Sequence, residues 1–246
     1  MQKICIIIPC YNEEKRLNIG ALKDFMQNHP HISFLGVNDG SKDLTELLLS
    51  ELQHEFKNQF EALNLQKNGG KAEAVRQGIL HAAQQGNFEY LGYWDADFST
   101  PLSELDHFIA FSGGRLSHSI IMGSRIARLG SRVQRKMMRH YLGRVFSTLT
   151  SRVLKLRVYD TQCGAKLIAA NEAKDLFEKP FVSKWFFDVE VIARFIVKYG
   201  RKKTYTHILE VPLNEWVEVG GSKLKVMDFI KVPLELLKIR RHYKLG

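Results

Sequence analysis

An alternation of short apolar runs with amphipathic stretches constrains the fold of this 246-residue chain more than any other feature. Four runs predict strands and three intervening stretches predict helices: strands at 4–8, 33–37, 60–65 and 89–94, and helices at about 13–28, 43–57 and 70–85. Strands that alternate with helices over short connections form a parallel sheet flanked by helices. We therefore predict an α/β fold with a mainly parallel central sheet.

Polar residues follow each of the four predicted strands. The loops read PCYNE (9–13), NDGS (38–41), NGGK (68–71) and DAD (95–97). Ligands of such sheets bind beyond the carboxyl ends of the strands. The four loops therefore predict one binding site at a single edge of the sheet.

Asp95 and Asp97 are separated by one residue directly after the fourth predicted strand. Two carboxylates at this spacing can bind one hard divalent cation, and Mg²⁺ or Mn²⁺ often completes its shell with substrate phosphates. The alternative is a turn with two solvated aspartates that cap the helix near Pro101. The position after an apolar strand, beside the other three loops, favours the metal.

The second and third loops carry residues suited to a nucleotide. The Asp39 carboxylate can accept hydrogen bonds from a ribose or a base, or belong to an Asx-turn with Gly40 at positive φ, and both can hold together. Residues 68–71 resemble an anion-binding loop, because glycines permit close backbone approach and Lys71 begins a helix. The loop lacks the P-loop pattern.

The basic charge is concentrated in one part of the chain. The formal net charge is +10, and eleven Lys or Arg but no Asp or Glu lie between Arg115 and Tyr159. Such a stretch predicts an anionic partner. Because no helix-turn-helix, zinc-finger or RNA-binding signature accompanies the charge, we expect this partner not to be nucleic acid.

Residues 131–156 predict one or two basic amphipathic helices. Apolar residues recur every three or four positions, at Val133, Met137, Tyr141, Leu142, Val145, Phe146, Leu149, Val153 and Leu156. A second basic stretch, 223–244, carries Phe229, Ile230, Leu236, Leu237 and Ile239. Both suit an anionic membrane interface. The alternative is that these apolar faces pack on the protein's own core.

Cysteine content and hydropathy indicate the compartment. The three cysteines have no C-x-x-C spacing, so we expect neither disulfides nor structural zinc, as in a reducing cytosol. No run of 18 apolar residues is present to span a membrane. We expect a cytoplasmic protein that associates peripherally with the cytoplasmic face of a membrane.

The motifs resemble a known family. IIIPCYNEE, VNDGSKD and D-x-D, in this order, are similar to the inverting nucleotide-sugar glycosyltransferases. DTQCGAK (160–166), KWFFDVE (184–190), EVP (210–212) and GSKL (221–224) look like the polyprenyl-phosphate branch, specifically the dolichyl-phosphate glucosyltransferase type, with dolichyl-phosphate mannose synthases as cousins. The resemblance implies one GT-A domain over 1–225, with 131–156 as a basic amphipathic insertion and 226–246 as a C-terminal amphipathic helix or tail.

The resemblance also implies an activity. It is the metal-dependent transfer of a hexose, with inversion, from a nucleotide sugar to a polyprenyl (dolichyl-type) phosphate at a membrane surface. UDP-glucose is the favoured donor and Mg²⁺ or Mn²⁺ the cofactor. The alternatives are a GDP-mannose-dependent mannosyltransferase and a glycosyltransferase that acts on a soluble hydroxyl acceptor.

Residue roles follow from the same resemblance. Asp97, Asp188 and Arg125 are the expected catalytic residues, and Asp95 and Asp97 would approach the metal. The expected nucleotide-binding residues are Pro9, Tyr11, Glu13, Asp39, Lys71 and Asp95. The acceptor phosphate would be held by Arg125, Arg139, Ser222 and Lys223. This chain has Ala165 and Lys166 where relatives carry aromatic or arginine residues, so its phosphate contacts are expected to be weaker or lysine-based.

Asp188 has two possible roles. A carboxylate at the start of that helix can be the general base for an attacking hydroxyl, or an N-terminal acid favoured by the helix dipole. The second pKa of a phosphate monoester is about 6, so a phosphate acceptor is largely ionised at neutral pH. We therefore expect Asp188 to position groups more than it removes a proton.

Overall fold

The structure is a computed structural model that describes residues 2–133, 137–219 and 226–246, and of 137–140 and 226–231 the backbone alone. Its strands are β1 (Ile4–Cys10), β2 (Ile32–Asn38), β3 (Phe60–Asn64), β4 (Tyr90–Trp94), β5 (Ile120–Ser124), β6 (Arg132–Val133), β7 (Ala165–Ala169), β8 (Ile208–Pro212) and β9 (Glu215–Trp216). Its helices are α1 (Ile19–Asn28), α2 (Thr45–Glu55), α3 (Lys71–Gln84), α4 (Glu104–Phe111), α5 (Met137–Leu154), α6 (Ala170–Phe177), α7 (Phe187–His207) and α8 (Val226–His242).

Seven strands form the central sheet in the order β3-β2-β1-β4-β7-β5-β8. β1 pairs in parallel with β2 and β4, β2 with β3, and β5 with β8, whereas β7 runs antiparallel to both of its neighbours. The predicted α/β fold with a mainly parallel sheet is therefore confirmed. β6 and β9 pair in a separate two-stranded sheet.

Helices cover both faces of the sheet. Along β1, Ile4, Ile6 and Ile8 pack into one layer of the core, and Cys5 and Ile7 pack into the other. A strand buried on both faces needs a continuous apolar sequence, which explains the ICIII run.

Two predicted helices begin later than the sequence pattern indicated. α1 starts at Ile19, because Asn18 accepts a hydrogen bond from the backbone N–H of Ala21 and caps the helix. The basic helix starts at Met137 instead of 131, because Arg132 and Val133 pair with β9.

The basic amphipathic segments pack largely on the protein itself. Phe146, Leu149 and Val153 of α5 contact a core cluster that also contains Leu236 and Ile239 of α8. For these side chains the alternative of packing on the protein's own core holds, because residues of α7 and α8 contribute to the same cluster. Tyr141 and Val145 of α5, and Leu234 and Leu237 of α8, remain exposed. In the described part of the chain, no helix is both long and apolar enough to cross a bilayer.

Candidate active site

The carboxyl ends of β1, β2, β3 and β4 bring the four predicted loops together at one edge of the sheet. The backbone N–H of Asp39 donates to the carbonyl of Cys10 at 2.8 Å, which joins the ends of β2 and β1. The third loop lies against the second, because the side-chain amide of Asn68 donates to the Asp39 carbonyl at 3.2 Å.

The buried Asp39 carboxylate organises the NGGK loop. Its two oxygens accept hydrogen bonds from the backbone N–H groups of Gly69 and Gly70, each at 2.8 Å. Burial raises the pKa of Asp39, and these hydrogen bonds offset part of that effect. The anion that this glycine loop binds here is therefore a side chain of the protein. Gly40 has φ of +64°, as expected for the turn.

Lys71, the first residue of α3, forms an ion pair with Asp95. The resemblance implies that Lys71 binds the nucleotide, and in the structure its amine lies at the carboxylates that follow β4. Desolvation lowers the pKa of Lys71, but the charges of Asp95, Asp188 and Asp97 outweigh this and raise it. Lys71 is therefore a cation at neutral pH.

Arg16 is a site residue that sequence reasoning missed. Its guanidinium lies 2.6 Å from an Asp97 oxygen and 3.5 Å from Glu13. The other Asp97 oxygen accepts from the backbone N–H of Ser99 at 3.0 Å. Arg16 thus links the loop after β1 to the Asp-Ala-Asp turn.

Gly164 allows Asp95 to lie against β7. The backbone N–H of Asp95 donates to the Gly164 carbonyl at 3.0 Å. A Cβ atom at position 164 would overlap an Asp95 carboxylate oxygen, well inside van der Waals contact. The glycine of the 160–166 motif is therefore required for the position of the Asp95 carboxylate.

Asp188 belongs to a buried cluster. The same oxygen, Oδ1, accepts from the Tyr93 hydroxyl at 2.5 Å and lies 2.7 Å from Nζ of Lys166. Lys166 also donates to the carbonyl of Cys163 and is 2% exposed. Burial and the charge of Asp188 raise the pKa of Tyr93 well above its ordinary value. The amine of Lys166 therefore points inward to Asp188, which fits weaker phosphate contacts better than lysine-based ones.

Arg125 forms a two-point ion pair with Asp160. Its Nε and Nη2 atoms lie 2.6 and 2.8 Å from the two carboxylate oxygens, and its guanidinium stacks over Trp216. Burial lowers the pKa of Arg125, but Asp160 outweighs burial and raises it. Glu210 fixes the same loop by accepting from the backbone N–H groups of Tyr159 and Asp160.

Further predicted residues lie in the first loop, in α5 and in the 221–224 motif. Pro9 is in β1, and Tyr11 and Glu13 follow that strand at the same edge of the sheet. The side chain of Arg139, although the residue lies in α5, is outside the described residues, as are Ser222 and Lys223. The roles of all these residues remain predictions.

The profile of Glycosyl transferase family 2 matches residues 5–177, a span that contains each of the strand-end loops. The chain belongs to this family. This glycosyltransferase is 34% identical to a dolichyl-phosphate beta-glucosyltransferase of Trichomonas vaginalis over 99% of its own length and 74% of the relative's. It is 32% identical to the Saccharomyces cerevisiae dolichyl-phosphate beta-glucosyltransferase, with 99% and 75% covered. The predicted family is thus confirmed.

The fold is also that of solved glycosyltransferases. Glucosyl-3-phosphoglycerate synthase from Mycobacterium tuberculosis, solved with Mn²⁺, UDP-glucose and phosphoglyceric acid, superposes with a TM-score of 0.65. The sequence identity is 12%, and the match covers 100% of this glycosyltransferase and 81% of the synthase. The GT-A fold expected from the resemblance is confirmed.

Proposed function

We propose that this glycosyltransferase transfers glucose from UDP-glucose to a dolichyl-type polyprenyl phosphate, with inversion and with Mg²⁺ or Mn²⁺. The observation that carries the proposal is the set of Asp39, Asp95 and Asp97 at one sheet edge in a chain whose relatives are dolichyl-phosphate beta-glucosyltransferases. Sheets of this type bind nucleotides at such an edge.

Asp95 and Asp97 would hold the divalent cation. Carboxylate oxygens suit Mg²⁺ and Mn²⁺, and both residues lie directly after β4 with one residue between them. Mn²⁺ accompanies the UDP-glucose complex of the structurally similar synthase. When bound, the cation would stabilise the negative charge of the departing nucleoside diphosphate.

The buried position of Asp188 favours a phosphate acceptor over a hydroxyl. A general base must reach the proton that it removes. Asp188 is 5% exposed, and its carboxylate is bound by Lys166 of β7 and by the hydroxyl of Tyr93. A phosphate that is already ionised needs no base, so an acceptor of this class suits the site.

Replacement Asp188→Asn should therefore reduce kcat by about tenfold to a hundredfold without abolishing transfer, since the amide keeps an oxygen for Tyr93 but loses the charge opposite Lys166. Single-turnover transfer to polyprenyl phosphate measures this effect. Complete loss of turnover in a variant that remains folded at the assay temperature would instead make Asp188 an obligatory base.

Transfer of radiolabel from UDP-glucose or GDP-mannose into an organic-extractable product tests the function directly. The assay contains polyprenyl phosphate and either Mg²⁺ or Mn²⁺. We expect metal-dependent lipid label from UDP-glucose. Label from GDP-mannose alone would identify a mannosyltransferase. Label only in a water-soluble hydroxyl acceptor would refute the lipid acceptor.

A membrane partner is part of the proposal. Leu129 is fully exposed at the loop after β5, between Arg128 and Arg132, and Tyr141 and Val145 are exposed on α5. Exposed apolar side chains among arginines suit the headgroup region of an anionic bilayer. The buried free thiols of the cysteines agree with the cytoplasmic face, where thiols stay reduced.

The variant with Leu129→Ser, Tyr141→Ser and Val145→Ser should bind vesicles of phosphatidylcholine and phosphatidylserine about tenfold or more weakly, because less apolar surface enters the bilayer. Co-sedimentation measures this affinity. The matched control is Leu44→Ser with Leu47→Ser, which changes exposed leucines near the opposite end of the sheet. Equal vesicle affinity of both variants would refute this membrane surface.

A further inference from the structure

The two carboxylates of the Asp-Ala-Asp turn are each neutralised by a cation from a different loop. Asp97 is bound by Arg16, from the segment after β1, and Asp95 is bound by Lys71, from the start of α3. Arg16 is partly exposed to solvent and Lys71 is more open, with side-chain exposures of 24% and 41%. The turn is thus close to electrically neutral before any ligand binds.

This pairing opposes the binding of a bare divalent cation. Among the residues that the structure describes, no group of three His, Cys, Asp or Glu side chains is placed to hold a metal. An ion that entered alone would find two carboxylates, each with a positive charge beside it. Repulsion between like charges a few ångströms apart weakens such binding strongly in a partly buried site.

A nucleoside diphosphate removes this obstacle. Its phosphate oxygens are acceptors for Arg and Lys, so both cations can exchange a carboxylate for a phosphate. The Nε atom of Arg16 is buried and has no hydrogen-bond partner among the described residues, so a phosphate oxygen could satisfy it. Moving Arg16 to a phosphate exchanges its ion pairs with Asp97 and Glu13 for charge-assisted phosphate contacts and uncovers an Asp97 oxygen.

We propose that Arg16 and Lys71 are internal counter-ions of Asp97 and Asp95. The two basic side chains exclude a divalent cation from the carboxylates until a nucleoside diphosphate arrives and binds Arg16 and Lys71. The metal and the nucleotide consequently bind as a pair. This inference rests on the proposed function, since it takes a nucleotide sugar as the donor.

Electron paramagnetic resonance of Mn²⁺ tests the inference, because it reports free and bound ion without any turnover. For the wild-type protein we expect weak Mn²⁺ binding alone and binding at least about tenfold tighter when UDP is present. Arg16→Gln and Lys71→Gln should each tighten binding of Mn²⁺ alone by about tenfold and weaken binding of UDP in the presence of Mn²⁺.

These opposite changes distinguish a counter-ion from a structural residue, whose loss would weaken both ligands. Arg115→Gln is the matched control, because Arg115 faces Glu89 on the exposed surface, and it should change neither affinity. Tight Mn²⁺ binding to the wild-type protein alone, or no tightening in either variant, would overturn the inference and leave the transferase function intact. Failure of UDP to bind, with or without Mn²⁺, would instead refute the proposed donor.

Discussion

Transfer of glucose by the Asp97→Ala variant is expected to fall about a thousandfold. The change removes one of only two carboxylates in the Asp-Ala-Asp turn and leaves Arg16 without that partner. Stabilisation of a leaving group by a metal contributes several kcal/mol, and about 4 kcal/mol corresponds to a thousandfold in rate. The lipid-phase label assay measures the loss.

Stability of the variant separates the loss of chemistry from a loss of folding. Asp97 also accepts a hydrogen bond from the Ser99 backbone, so Asp97→Asn is a useful second variant that keeps an oxygen there. Both should unfold at nearly the wild-type temperature. Asp106→Ala, which removes an exposed carboxylate that faces His29, is the matched control and should keep full activity. More than a tenth of wild-type transfer in Asp97→Ala would contradict a metal role for this residue.

The first four strands and the sheet edge were predictable because their signals are local, whereas β5, β7 and β8 of the central sheet were not predicted. A strand such as β1, buried on both faces, must be continuously apolar, and the polar residues that follow it then lie at its carboxyl end. The direction of a parallel sheet places Asp39 and Asp95 at the same edge without any knowledge of long-range contacts.

Arg16 and Lys166 were not predictable in the same way, because their partners are distant in the sequence. Arg16 binds a carboxylate 81 residues away, and nothing in the local pattern distinguishes it from a solvated arginine. Lys166 lies in β7, and all the remaining residues of that strand are apolar. A lysine within an apolar strand was the available signal that it has a buried acidic partner.

The basic helix shows a different limit of sequence reasoning. Apolar residues every three or four positions define a helix face, but the pattern is the same whether a bilayer or the protein covers that face. Here Phe146, Leu149 and Val153 pack against a cluster formed with α7 and α8, so the protein's own core covers most of this apolar face. What the pattern could not supply was the position of α7, which depends on tertiary packing.

Replacement Lys166→Met is expected to lower the free energy of unfolding by about 3–5 kcal/mol, because it leaves the Asp188 carboxylate buried opposite Tyr93 without its cation. Urea denaturation measures the change. Lys198→Met is the control: Lys198 pairs with Glu172 and Asp175 at a more exposed position, where an ion pair contributes about 1 kcal/mol or less. A similar loss in the two variants would refute a special role for the buried pair.

A second substitution tests the cause of this loss. In the Lys166→Met protein, Asp188→Asn removes the uncompensated charge, so it should restore part of the lost stability, although the same change destabilises the wild-type protein. The sign of the Asp188→Asn effect thus depends on whether Lys166 is present. Such a reversal arises only if the two side chains interact as charges, whereas a lysine that merely fills space would leave the effect unchanged. Restored stability with transfer still reduced would assign Lys166 and Asp188 to the positioning of Asp95 through β7, because Gly164, the residue before β7, accepts a hydrogen bond from the backbone N–H of Asp95.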